Sequence, residues 1–207
     1  MSAADQASAY AKGGAAAISV LTEPVHFGGS LGDLQQVRAA VGDEGRGLPV
    51  LRKDFHVDPV QLVEAKGAGA SAALLIVRAL GPDALPRMMD SARSIGLEVL
   101  VEVRDEEELR WALDAGAAIV GINNRNLETL IIDPETSARL LALVPAAVIA
   151  VAESGVGGRA DVVRVAKAGA DAVLVGSTLS AADDPTAAVR QLVGVPRTRT
   201  PNRAGPA

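Results

Sequence analysis

Five stretches of this chain place groups capable of chemistry directly behind apolar residues: Val50-Leu51-Arg52-Lys53-Asp54, Leu100-Val101-Glu102-Val103, Ile122-Asn123-Asn124-Arg125, Val151-Ala152-Glu153-Ser154 and Val173-Leu174-Val175-Gly176-Ser177. Lys53 is one of only four lysines. A Lys drawn partly out of water serves as a general acid or a Schiff-base nucleophile; the plainer alternative is a surface Lys paired with Asp54. Glu102 interrupts an apolar run, where a carboxylate is costly unless it has a partner; its plainer alternative is a solvent-facing position on an edge strand. Asn123, Asn124 and Arg125 combine two carboxamides with a planar, bidentate guanidinium, a set suited to hydroxyls and carboxylates. Turn formation alone explains an Asn well, but it does not explain the Arg. Glu153 and Ser154 repeat the design and lead into Gly155, Gly157 and Gly158. Together with Gly176, Ser177 and Thr178, these glycines form two turns able to aim backbone N–H groups at an anion.

Such groups need a frame, and the frame is written in the apolar runs Ala16–Thr22, Leu48–Asp54, Ala72–Val77, Glu98–Val103, Ala118–Asn124, Ala147–Ser154 and Ala172–Ser177. The runs are short, rich in Val, Ile and Leu, and continuous rather than alternating, the pattern of parallel strands buried on both faces. Between them lie stretches with helical spacing, among them Leu34, Val37 and Val41; Leu109 and Leu113 with Trp111; and Val162, Val165 and Ala166. Gly14, Gly69, Gly116 and Gly169 each precede an apolar run, where a helix ends and the next strand begins. Strand and helix therefore alternate, and the polar clusters fall at the C-terminal strand ends, the active-site end of a (β/α)₈ barrel. The expected fold is a member of the (β/α)₈ TIM-barrel family with seven of its eight strands in this chain. Residues 1–194 form the incomplete barrel domain and residues 195–207 a disordered tail. Met1 to Lys12 reads as the end of a helix, so the chain is expected to begin inside the first βα unit.

Composition narrows the function. Hydrophobic residues make up 49% of the 207 residues and aromatic ones only 2%, so the core is aliphatic. A formal net charge of −5 argues against a nucleic-acid surface, which needs clustered Lys and Arg. The absence of cysteine excludes disulfides, thiolate metal ligands and Cys nucleophiles, and two isolated histidines, His26 and His56, make a poor metal site. No segment reads as a signal peptide or a membrane span, so the expected compartment is the cytoplasm. An open barrel would leave two strand edges without partners, which predicts pairing into a homodimer.

Taken together, these segments resemble indole-3-glycerol phosphate synthase, the tryptophan-pathway barrel, over about residues 5–194. The most specific parts are Ala9-Tyr10-Ala11-Lys12-Gly13-Gly14-Ala15, Ile18-Ser19-Val20-Leu21-Thr22, the 51–55 run, the 100–103 run, the 121–127 run and Glu153-Ser154-Gly155. The resemblance implies a carboxy-lyase that closes the indole ring of 1-(2-carboxyphenylamino)-1-deoxyribulose 5-phosphate with loss of CO₂ and water, using no cofactor and no metal. It further implies that Lys53 is the general acid, that Glu102 moves protons in the dehydration, and that Phe55 packs on the substrate. Asn123 and Arg125 would orient the substrate, Glu153 and Ser154 would contact its hydroxyls, and Gly155, Gly176 and Ser177 would hold its phosphate.

The chain also departs from the family pattern. The family's first-strand Glu-x-Lys segment and Ser-Pro-Ser turn have no counterpart here, Arg104 stands where a His is usual, and Ser177-Thr178 stands where Glu-Ser is common. The alternative is a non-catalytic relic that binds a phosphorylated metabolite or a partner protein. A phosphoribosyl isomerase is disfavoured, because the chain lacks an Asp or Cys at the strand ends where those enzymes carry their acid–base pairs.

Overall fold

The computed structural model describes residues 1–42, 47–126 and 128–197. Most of the tail expected at 195–207 lies outside the described residues. The chain divides into two compact units, Met1–Leu100 with Ala182–Val193, and Val101–Ala181 with the residues from Gly194 onward. Strand order follows chain order, β1-β2-β3 and then β4-β5-β6-β7, with the neighbouring strands within each run parallel.

The first unit holds α1 (Ala3–Gly13), β1 (Ile18–Leu21), α2 (Leu31–Val41), β2 (Val50–Lys53), α3 (Pro59–Gly67), β3 (Ala72–Ile76), α4 (Val77–Ser94) and α9 (Pro185–Leu192). Capping side chains set its helix boundaries. Ser2 and Ser30 accept the backbone N–H groups of Asp5 and Asp33 at the starts of α1 and α2, and Asp58 opens α3 behind Pro59 in a capping box completed by Gln61. The segment expected to be only a helix end is thus a helix of 11 residues with its own N-cap. It packs on α9, where Gly13 has no room for a side chain: a Cβ there would lie 2.6 Å from Val189 Cβ. α4 is broken at Gly81, whose φ of 70° no helix accommodates.

The second unit holds α5 (Glu106–Asp114), β5 (Ile119–Asn123), α6 (Glu135–Leu141), β6 (Ile149–Glu153), α7 (Arg159–Ala168), β7 (Ala172–Leu174) and α8 (Ser177–Ser180). The chain passes between the units within β4 (Glu98–Val103), after Leu100. Val101, Val103, Val120, Ile122, Ala150 and Ala152 are all buried, which accounts for the unbroken apolar runs. β7 is shorter than the run Ala172–Ser177 suggests: Gly176 caps α8, and Ser177 is its first residue. The buried faces of α2 and α7 are Leu34, Val37 and Val41, and Val162, Val165 and Ala166, as their spacing requires.

Candidate active site

In a parallel strand, neighbouring side chains point to opposite faces of the sheet. At the end of β2 this separates Arg52 from Lys53. The Arg52 guanidinium turns toward α3, donating from Nη1 to the Gln61 carbonyl at 2.7 Å and reaching Glu64 at 3.5 Å. From its other nitrogens it binds Thr22 Oγ1 at 3.0 Å and Asp54 Oδ2 at 3.0 Å, and Thr22 itself donates to Asp54 at 2.6 Å. Lys53 therefore faces the other side of the sheet and is half-buried. Asp54, the partner expected for Lys53 in the plainer reading, holds Arg52, Thr22 and the Phe55 N–H. Burial alone would raise the Asp54 carboxyl, but the hydrogen bonds from Thr22, Phe55 and Arg52 outweigh it and hold the group below its ordinary range.

Two further contacts fix the turn after Lys53. Phe55 is partly exposed, and its ring lies 6.5 Å from that of Phe27. His56 is 1% exposed, and its Nδ1 lies 2.7 Å from the Leu74 carbonyl, which can only accept, so Nδ1 carries the proton. Burial pushes the His56 imidazole below its ordinary pKa.

In the second unit, register does the corresponding work. Asn123 stands beside Glu153 in the β5–β6 ladder, and Glu102 pairs with Gly121, two residues before Asn123 and on the same face. Glu102 is 4% exposed and Glu153 2%, so neither carboxylate faces solvent. Asn123 joins its neighbours: Nδ2 donates to Glu102 Oε1 at 3.0 Å, while Oδ1 accepts from Ser154 Oγ at 2.8 Å and from the Arg125 N–H at 2.9 Å. The Arg125 N–H can only donate, which fixes which end of the carboxamide is oxygen. The Arg125 side chain reaches the Leu130 carbonyl at 3.2 Å. The result is a hydrogen-bonded line, Glu102–Asn123–Ser154, across the ends of β4, β5 and β6.

The glycine turns follow. Gly155 has a φ of +78°, and a Cβ there would sit 2.8 Å from Ile132 Cγ2, so only glycine fits. The N–H groups of Gly157 and Gly158 donate to Asp161 Oδ2, at 2.9 and 3.2 Å, which holds the Asp161 carboxyl below its ordinary range. These two N–H groups are therefore engaged at the start of α7, by Asp161 of the same helix. Thr178 ties one turn to the other by donating to the Val156 carbonyl at 2.8 Å.

Sequence reasoning did not find the supporting roles of Thr22, His56, Ser137 and Asp161, and it read Asn124 with the recognition groups and Thr178 with the anion-binding turn. An Asp three residues into α7 was a legible capping signal. The others depend on contacts made across 13 to 32 positions of chain, for which a single sequence carries no sign. Among the described residues no group of His, Asp and Glu could hold a metal ion, and no helix is long and apolar enough to cross a membrane.

A parallel βα repeat with buried carboxylates, amides and glycine turns at its C-terminal strand ends has the layout of the (β/α)-barrel enzymes. Solved structures with this fold include thiamine phosphate pyrophosphorylase from Pyrococcus furiosus, at a TM-score of 0.72 and 18% identity, covering 91% of this chain and 86% of that one. Another is 3-hexulose-6-phosphate synthase from Salmonella typhimurium, at 0.69 and 17%, covering 84% and 83%. At these identities the likeness concerns the fold alone.

The indole-3-glycerol phosphate synthase family model matches residues 1–192, and the chain belongs to that family. It is 54% identical over 192 residues to the indole-3-glycerol phosphate synthase of a Nocardioides species, covering 93% of this chain and 72% of that protein. With the Kineococcus radiotolerans protein of the same name it shares 55% over 184 residues, covering 89% and 65%. The expectation from the 51–55, 100–103 and 121–127 runs is thus borne out: this is a carboxy-lyase family of tryptophan biosynthesis, acting on a phosphorylated small molecule. None of the relatives matched supports the binding-only alternative.

Proposed function

We propose that this chain closes the indole ring of 1-(2-carboxyphenylamino)-1-deoxyribulose 5-phosphate through the residues named above. The observation that carries the reading is the line Glu102–Asn123–Ser154, in which a buried carboxylate at a strand end is held in place by the Asn123 carboxamide. In the first half of the reaction the aromatic carbon bearing the carboxylate attacks the ribulose carbonyl. Lys53 donates a proton to the carbonyl oxygen as the new carbon–carbon bond forms, and CO₂ leaves with restoration of the aromatic electrons. In the second half the hydroxyl so formed departs as water, with Glu102 moving the proton, to give the indole. Phe55 packs on the anthranilate ring and Arg125 orients the substrate with Asn123. Glu153 and Ser154 contact the sugar hydroxyls, and Gly155, Gly176 and Ser177 hold the phosphate.

Acid–base and electrostatic effects suffice for each step, so the reading requires no cofactor. A cytoplasmic location and a homodimer formed through the strand edges, without nucleic-acid partners, belong to the same proposal. The test is to incubate the purified chain with the carboxyphenylamino substrate and follow indole fluorescence. Turnover that Glu102→Gln abolishes without loss of folding supports the assignment; a folded chain that binds a reduced substrate analogue but never turns over refutes it.

A further inference from the structure

We infer that Asn124 is the positioning residue that sets the Glu153-Ser154 turn, and that Ser137 on α6 locks Asn124 in place. The inference rests on the lyase reading for what the turn does, and on the second unit's own geometry for how the turn is held.

Asn124 is 4% exposed. It follows Asn123, so its side chain leaves the opposite face of β5 and reaches the helix α6. Its Oδ1 accepts two hydrogen bonds from Ser137, from the N–H at 2.9 Å and from Oγ at 2.7 Å. Its Nδ2 donates to the Ser154 carbonyl at 2.9 Å. The Ser137 N–H can only donate and the Ser154 carbonyl can only accept, so the carboxamide has one workable orientation. The Asn124 main chain completes the clamp: its N–H donates to the Glu153 carbonyl at 3.0 Å, and its carbonyl accepts from the Asp133 N–H at 2.9 Å. One residue thus grips two consecutive carbonyls of the β6 end, and both lie in the turn that aims Glu153 and Ser154.

That turn needs gripping. Ser154 has a φ of +62°, a region an L side chain rarely occupies. Such backbone persists where surrounding contacts over-determine it, and it gathers at functional sites. If the turn relaxed, Ser154 Oγ would leave Asn123 Oδ1, and the Asn123 carboxamide that holds Glu102 would lose one of its fixed points. Asn124 touches none of the groups assigned to substrate through its own side chain except the Ser154 carbonyl, so its effect reaches the chemistry through Ser154, Asn123 and Glu102 in turn.

The experiment compares the full chain with Asn124→Asp and Ser137→Ala. Asn124→Asp keeps the acceptor for Ser137 but loses the donor to Ser154; Ser137→Ala loses one of the two bonds that orient Asn124. Thermal unfolding and steady-state kinetics are read on each, together with hydrogen exchange of the amides at Ser154, Gly155 and Val156. The expected result is a kcat lower by roughly 100-fold for Asn124→Asp and roughly 5-fold for Ser137→Ala, with KM within about threefold, the size of loss that small misplacements of reacting groups produce. Exchange should quicken at Ser154 to Val156 while β5 and α7 keep their protection. A merely structural Asn124 would lower the unfolding temperature and leave kcat and local exchange of the folded variants unchanged, which overturns the inference. A wild-type chain without turnover sinks the lyase reading instead, and the exchange comparison then decides this one alone. If Asn124→Asp does not fold, Ser137→Ala decides by the same two readouts.

Discussion

At the scale of single residues, the alternation of a strand divides labour between neighbours. Arg52 and Asn124 turn to the helices and fasten the strand end, while Lys53 and Asn123, one position away, take the opposite face. Glu102→Gln tests the catalytic half of that division. Its amide oxygen can still accept from Asn123, so the fold should survive while kcat falls by about 10² to 10⁴, the usual contribution of a general acid–base group; circular dichroism beside the fluorescence assay checks both. Asp54→Ala tests the fastening half. It leaves a buried guanidinium short of its closest carboxylate, a loss on the order of 3 kcal/mol read in urea unfolding. Residue types at strand ends were legible in the sequence because a charged or amide group behind Val, Ile and Leu stands out. The clamps were not, because an Arg52 beside a Lys53 looks like more of the same charge until a helix carbonyl is known to face it.

At the scale of elements, period and punctuation carried the reading. All seven apolar runs became strands, and the structure adds N-caps at Ser30, Asp58, Asp105 and Asp184, which sequence reasoning did not single out. The end of the last run was misjudged, since Val175-Gly176-Ser177 continues the apolar pattern while the backbone turns at Gly176 into α8. Two predictions belong here. Gly13→Ala improves local helix propensity yet forces α1 away from Val189 on α9, so the outcome should be a loss of about 1 to 3 kcal/mol, as overpacking gives, measurable by thermal denaturation. The second concerns pH. The folded chain binds a proton on His56 less readily than the unfolded chain, so stability is full above the ordinary imidazole value of 6.5 and falls as pH drops below it. Arg52 beside the ring opposes its charging, and Asp54 favours it less strongly. Asp54, itself held low, adds a second loss below the ordinary carboxyl value of 3.8 as it is forced to take up its proton. Urea midpoints at about pH 7.5 and about pH 5.5 should therefore differ for the wild type and coincide for His56→Asn, which keeps a donor for the Leu74 carbonyl and does not titrate.

At the scale of the whole molecule, a chain with a net charge of −5 is proposed to take a substrate that carries both a carboxylate and a phosphate. Attraction must then be local, from Lys53, Arg125 and the backbone N–H groups of the glycine turns, so KM should rise with ionic strength while kcat stays level. The chain spans 72% of the Nocardioides relative and 65% of the Kineococcus relative, and every group assigned to the chemistry lies within the matched residues. These groups are proposed to perform both the decarboxylation and the ring closure. The most direct test is a single-turnover measurement with carboxyl-labelled substrate on this chain and on Lys53→Ala. Labelled CO₂ and indole product should form in equal amounts from the wild type, and neither from the variant. Substrate bound by a folded wild-type chain without CO₂ release, or a variant that turns over as fast as the wild type, would contradict that assignment.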